Sequence, residues 1–205
     1  MHKPKIKICG LTRLEDIAIV NTLKPDYIGF VFAKSRRKVT PAQALSFRDA
    51  LNQSIIPIGV FVNESIETIL SVVQSGAIKI IQLHGSETER CIEKLKHKAS
   101  APIIKAIPVQ KEGDVQKWAQ TAADFLLLDH KGGGTGTTFD WNLIGKTEKP
   151  FFLAGGLTPQ NVSQAISRTK PYAVDVSSRV EENGLKCPRK IQQFINVIRD
   201  KSVQT

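Results

Sequence analysis

Cys9 closes the short run KIKIC (5–9) and stands directly before Gly10. A cysteine so placed is a small buried hydrophobe, a metal ligand, half of a disulfide, or a working nucleophile or base. Lys7 lies two positions earlier, and residues two apart on an extended strand share a face. A nearby ammonium favours the thiolate over the thiol. Gly10 removes a side chain where a ligand would approach the backbone. Asp129 closes DFLLLD (124–129) in the same manner, because alternation puts Phe125, Leu127 and Asp129 on one face. A carboxyl at the end of an apolar strand needs a partner or a task, and apolar neighbours favour the protonated form that a proton donor requires. A turn or helix-cap aspartate is the plain alternative.

Two turns carry the signature of an anion site. In LAGGLTPQNV (153–162), Gly155 and Gly156 expose backbone amides ahead of a helix for which Thr158 is the expected N-cap and Pro159 the first turn. In DVSSRVEENG (175–184), Ser177, Ser178 and Arg179 follow a strand. Ordinary turn glycines explain one such loop, but two together suit a phosphate. The stretch GGGTGTT (132–138) lacks the Gly-Lys-Ser/Thr ending of a nucleotide loop, with Thr137 where the lysine is needed, and reads as a loop over the pocket. His84 in IQLHG and His130 read as hydrogen-bonding structural residues before they read as acid–base groups. No His–Glu–His spacing supports a catalytic metal, and no C-x-x-C supports zinc.

These residues need a frame, and the chain supplies one repeatedly. Strand-like runs at 5–9, 26–32, 56–62, 77–83, 102–107, 124–129, 150–154 and 172–178 each precede a helix-like stretch, a short one after the sixth. Thr40 and Pro41 form an N-cap and first turn, and Ser65 caps the next helix, which Gly76 ends. Eight such units specify parallel strands joined by right-handed crossovers. In 205 residues with no linker or composition shift, they predict one α/β domain over 1–205, a (β/α)8 TIM barrel. A doubly wound open sheet is the alternative. On a barrel, chemistry gathers at the C-terminal ends of the strands, where Cys9 and Asp129 both sit, and phosphates commonly bind after strands seven and eight. Ile6 and Ile8 then face the helical layer, while Lys5, Lys7 and Cys9 face inward.

Composition narrows the function classes. Cysteines at 9, 91 and 187 are odd in number and widely spaced, unlike a secreted disulfide framework. No apolar run is long enough to span a bilayer, and the basic N-terminus lacks a signal peptide's apolar core, so the expected location is cytoplasmic, with no membrane partner. The net charge of +10 raises nucleic acid as a partner. The charges are spread, however, and the one dense cluster, AKSRRKVT (33–40), has no interleaved aromatics. A basic surface that attracts an anionic small molecule accounts for the charge without nucleic acid.

The motifs KICGLT, GFVFAKSRR, GVFVNE, IQLHG, GGGTGTTFDW, LAGGLTPQNV and DVSSRVEENGLK, in that order over nearly the whole chain, resemble the phosphoribosylanthranilate isomerases of tryptophan biosynthesis. The resemblance implies a (β/α)8 barrel and a cofactor-free Amadori rearrangement of N-(5-phosphoribosyl)anthranilate, a small phosphosugar; the chain itself is expected as a monomer or homodimer, which the sequence does not decide between. It implies Cys9 as general base at the second sugar carbon and Asp129 as general acid at the ring oxygen. Arg37 falls where the family holds the substrate carboxylate, with Arg36 a neighbouring alternative. Phosphate contacts fall on Gly155, Gly156, Ser177 and Ser178, largely through amides. The chain departs from the family in three places: Arg179 where a small residue is usual, Thr137 for a lysine, and Cys187 for a capping aspartate. Another phosphosugar barrel, an epimerase or synthase, and a non-catalytic anion-binding barrel are the rival readings. The former would be expected to use a metal or a catalytic lysine.

Overall fold

The structure, a computed structural model, describes residues 3–130 and 138–199. Eight parallel strands close on themselves: β1 (Lys5–Cys9), β2 (Tyr27–Val31), β3 (Ile56–Phe61), β4 (Ile80–Leu83), β5 (Ile103–Pro108), β6 (Phe125–Asp129), β7 (Phe151–Leu153) and β8 (Ala173–Val176). Each strand pairs with the next, and β8 returns to β1 with Lys7 opposite Asp175. The expected barrel is therefore present and closed.

Helices α1 (Leu14–Leu23), α2 (Pro41–Ala50), α3 (Ile66–Gln74) and α4 (Glu89–Lys98) follow the first four strands, and α5 (Val162–Thr169) and α6 (Pro188–Arg199) the last two. After β5 and β6 the described connections hold only single 3-10 turns, at Gln116–Trp118 and Trp141–Ile144. The fifth unit fails as a helix because Gly113 takes φ +85° and the Asp114 carboxylate accepts from the Gln110 and Lys111 amides, closing a turn instead. Gly145, at φ +63°, stops the sixth.

Two apolar layers hold the ring. Ile6, Ile8, Ile28, Phe30, Leu126 and Leu128 pack outward against the helices. Tyr27, Ile58, Ile80, Ile104, Leu127 and Phe152 fill the interior. At the N-terminal end, Tyr27, Phe125, Phe152 and Tyr172 form an aromatic plug with centroids 4.9–5.7 Å apart, and the two tyrosine hydroxyls meet at 2.8 Å. The floor is thus apolar and sealed, whereas the upper interior is polar. No helix among the described residues is long and apolar enough to cross a membrane.

Two caps match their sequence signals. Thr40 accepts from the Gln43 amide while Gln43 reaches back to the Thr40 amide, and Ser65 accepts from Thr68. The Thr158 cap does not form. The chain after β7 makes a turn first, and α5 begins only at Val162. Asn161 ties that turn, accepting from the Thr158 amide at 2.8 Å and donating to the Gly156 carbonyl at 3.1 Å. After β8 comes an element absent from the sequence reading, a hairpin of β9 (Glu181–Glu182) and β10 (Leu185–Lys186). Asn183 and Gly184, both at positive φ, make its two-residue turn.

Candidate active site

One cavity at the C-terminal mouth is lined by all seven residues singled out above: Cys9, Arg37, Asp129, Gly155, Gly156, Ser177 and Ser178. Its wall also includes Gln82, His84, Asp175 and Arg179. Cys9 from β1 and Asp129 from β6 enter it from strands three steps apart around the ring, because each ends its strand on the inward phase of the pleat.

The thiol is seated by its neighbours. A methyl group added at Gly29 on β2 would fall 2.6 Å from the Cys9 sulfur, so this glycine is the space the sulfur occupies. Gly10 has φ +82°, and a Cβ there would lie 2.4 Å from Cδ of Arg37. The glycine beside the cysteine therefore gives room to the arginine stem. Ser177 donates its hydroxyl to the Cys9 carbonyl at 3.0 Å, joining β8's end to β1's end.

Beneath the thiol, Lys7 is fully buried. Its ammonium donates to Asp175 Oδ2 at 2.9 Å and Gln82 Oε1 at 2.5 Å. Burial alone would discharge Lys7, but Asp175 and the Cys9 sulfur more than offset it and its pKa is raised. Cys9 behaves otherwise than the spacing of Lys7 and Cys9 suggests. Burial is the dominant influence and pushes the thiol up, while the pull of Lys7 is opposed by the Asp175 carboxylate paired with it. Lys7 therefore limits the cost of ionising the sulfur without removing it.

A polar chain leads from Lys7 to the opposite rim. Gln82 spends its oxygen on Lys7, so its amide nitrogen, 2.8 Å from His84 Nδ1, is the donor there. A neutral His84 ring then carries its hydrogen on Nε2, which lies 3.6 Å from Asp129 Oδ2. Asp129 is buried, and its Oδ1 accepts from the His130 amide at 2.7 Å. His84 thus makes a structural hydrogen bond to Gln82 and also faces the candidate acid.

Arg37, from the loop after β2, holds Glu181 of β9 through Nε at 2.7 Å and Nη2 at 3.0 Å. Arg36 reaches the same carboxylate at 2.5 Å and Lys186 at 2.8 Å. Burial works against ionised Glu181, but Arg37 and Lys186 hold its carboxyl below the usual range. The Glu181 hydrogen bond in turn raises Arg37 further above its already basic value.

On the third wall, Gly155 (φ +82°) and Gly156 (φ +61°) are consecutive positive-φ residues that line the cavity. Arg179 lies in a 3-10 turn, Ser178–Val180, outside the left-handed region, so its side chain brings no backbone strain. Cys187 precedes α6 and aims its thiol at Glu182, 3.7 Å away. Thr137, and residues 132–137 of the glycine-rich stretch, lie outside the described residues. Among the described residues no three His, Cys, Asp or Glu side chains converge as a metal site.

Gln82, Asp175, Glu181 and Gly29 belong to this site and were not singled out in the sequence. Asp175 carried the same signal as Asp129, a carboxyl inside an apolar strand, and the Asn-Gly pair announced the hairpin that carries Glu181.

Comparison with known proteins agrees with this architecture. The family model for N-(5'-phosphoribosyl)anthranilate (PRA) isomerase matches residues 6–197. The N-(5'-phosphoribosyl)anthranilate isomerase of Endomicrobium trichonymphae is 44% identical over 200 residues, covering 96% of this chain and 98% of that protein. That of Clostridium acetobutylicum is 45% identical over 203 residues, covering 95% and 98%. The crystal structure of phosphoribosyl anthranilate isomerase from Thermotoga maritima superposes with a TM-score of 0.87 at 36% identity, over 96% of this chain and 98% of that one. A further crystal structure of such an isomerase, at TM-score 0.84, 36% identity and the same coverages, holds reduced 1-(o-carboxyphenylamino)-1-deoxyribulose 5-phosphate. With barrel, mouth and family model in accord, the chain belongs to the N-(5'-phosphoribosyl)anthranilate isomerase family.

Proposed function

We propose that this chain converts N-(5'-phosphoribosyl)anthranilate into 1-(o-carboxyphenylamino)-1-deoxyribulose 5-phosphate in tryptophan biosynthesis, with Cys9 as general base and Asp129 as general acid. The observation that supports this most directly is the opening of both groups onto one cavity, together with the glycine and serine loops after β7 and β8.

Asp129 donates its proton to the ring oxygen as the bond from that oxygen to the first sugar carbon breaks, leaving a cationic Schiff base. The Cys9 thiolate then takes the proton from the second sugar carbon, and that bond's electrons neutralise the iminium to give an enolamine. Loss of the enol proton and protonation of the first carbon complete the ketose. The acid must start protonated and the base ionised, so a separate environment for each is required. Lys7 opposes the burial that disfavours the Cys9 thiolate, and the His130 amide orients an Asp129 carboxyl that faces the His84 ring. Arg37 anchors the anthranilate carboxylate with a planar fork suited to that group. Gly155, Gly156, Ser177 and Ser178 present amides to the phosphate.

The test is consumption of N-(5'-phosphoribosyl)anthranilate by purified protein in the presence of a chelator, followed by loss of substrate fluorescence. Cys9→Ser and Asp129→Asn each lower turnover by at least about a hundredfold with circular dichroism unchanged. Near-normal turnover in either variant removes that residue from the mechanism.

A further inference from the structure

We propose that Glu181 is a positioning residue that fixes Arg37 for the substrate carboxylate, and so sets the preference for a carboxylated aniline over the bare ring. This rests on the reading of Arg37 as the carboxylate anchor.

Arg37 is a long side chain on a loop, and a free guanidinium there would sample many rotamers. It is instead held at two points. Its stem lies across Gly10, where a Cβ would come within 2.4 Å of Cδ. Its head is gripped along one edge, Nε and Nη2, by both oxygens of Glu181. That grip leaves Nη1 as a donor for a second anion, on a side chain that is already oriented and lines the cavity. Ordering of this kind moves the entropy cost from the binding step into folding.

The charge balance fits an anion-receiving site. One buried carboxylate stands among three cationic side chains, Arg36, Arg37 and Lys186, so the cluster keeps a positive surplus. Lys190 also donates to the Glu181 carbonyl at 2.8 Å, securing the backbone beneath the carboxylate. A residue that served only to staple the hairpin would need Lys186 and Arg36 alone. Glu181 reaches further and sets the Arg37 guanidinium, which lines the mouth together with Cys9.

The test compares kcat/KM for N-(5'-phosphoribosyl)anthranilate with that for its decarboxylated counterpart, N-(5'-phosphoribosyl)aniline, in the full chain. This ratio is unaffected by the fraction of protein that is folded, so general loss of structure does not move it. Arg37→Ala lowers the ratio by at least about thirtyfold, and Glu181→Gln lowers it by about tenfold, chiefly through KM for the carboxylated substrate. Glu181→Gln added to Arg37→Ala lowers it no further. Glu181→Asp, which keeps a charge for Lys186 but draws it back by one methylene, also lowers the ratio and serves where the glutamine variant folds poorly. An unchanged ratio in the Glu181 variants, with the Arg37→Ala ratio collapsed, overturns the positioning role and leaves the anchor standing. An unchanged ratio in Arg37→Ala overturns the anchor and this proposal with it.

Discussion

The Cys9 sulfur occupies the volume of a missing side chain, and that fact has kinetic consequences. Gly29→Ala places a methyl 2.6 Å from the sulfur, so the thiol must rotate away or β2 must shift. We expect turnover to fall by about tenfold or more while substrate affinity changes little, checked by steady-state kinetics. The base also has a pH signature. Its active form is the thiolate, and burial pushes the thiol above its ordinary value. Activity therefore climbs with pH through neutrality and levels only beyond the ordinary thiol range. Lys7→Met removes the one group that draws the thiol down most, so the ascending limb of the kcat/KM profile moves to still higher pH. It also leaves Asp175 buried without its partner, a loss of about 3–5 kcal/mol in urea unfolding. Residue chemistry was partly legible beforehand. Alternation alone placed Cys9 and Asp129 on the inward phase. What it missed is long-range: the carboxylate that blunts Lys7 lies 168 positions away, and Gln82 lies 75 away. A local pattern carries no trace of such pairings, nor of the burial that opposes the pull of Lys7 on the thiol.

At the scale of elements, legibility tracked how completely local chemistry determines a segment. Thr40 and Pro41 specify a helix start with no outside help, and α2 begins there with both capping bonds made. Thr40→Ala removes the acceptor for the Gln43 amide and costs about 1 kcal/mol, measurable by thermal or urea denaturation. The fifth and sixth units had apolar residues enough to suggest helices, but Gly113 and Gly145 at positive φ cut them to single 3-10 turns. Thr158 failed as a cap because Asn161 turned the chain first, binding both the Thr158 amide and the Gly156 carbonyl. The β9–β10 hairpin was signalled by Asn183-Gly184, yet each of its strands has only two residues. Isolated, so short a ribbon is unstable in water. Its position rests on the side chains converging on Glu181, which no periodicity reports.

The whole molecule divides its interior between the two ends of the ring. Below, four aromatic rings seal the floor, and Phe152→Ala there opens a cavity costing about 3–5 kcal/mol by urea titration. Because that floor lies beneath the polar layer, the folded fraction of this variant retains its catalytic constants. Above, a basic chain of net charge +10 meets a substrate bearing phosphate and carboxylate. Raising ionic strength from about 0.01 M to about 1 M shortens the screening length from about 30 Å to about 3 Å. We expect kcat/KM to fall several-fold over that range in stopped-flow or steady-state assays, with kcat nearly constant.

The pairing of Lys7 with Asp175 joins the first strand to the last. During synthesis, Lys7 leaves the ribosome early and its counter-ion arrives only after 168 further residues. Until then the nascent chain carries an ammonium that cannot be dehydrated and two strand edges that cannot meet. Closure of the ring is consequently a late, post-emergence event, and an arrested chain that stops short of β8 should remain an open, protease-sensitive half-product.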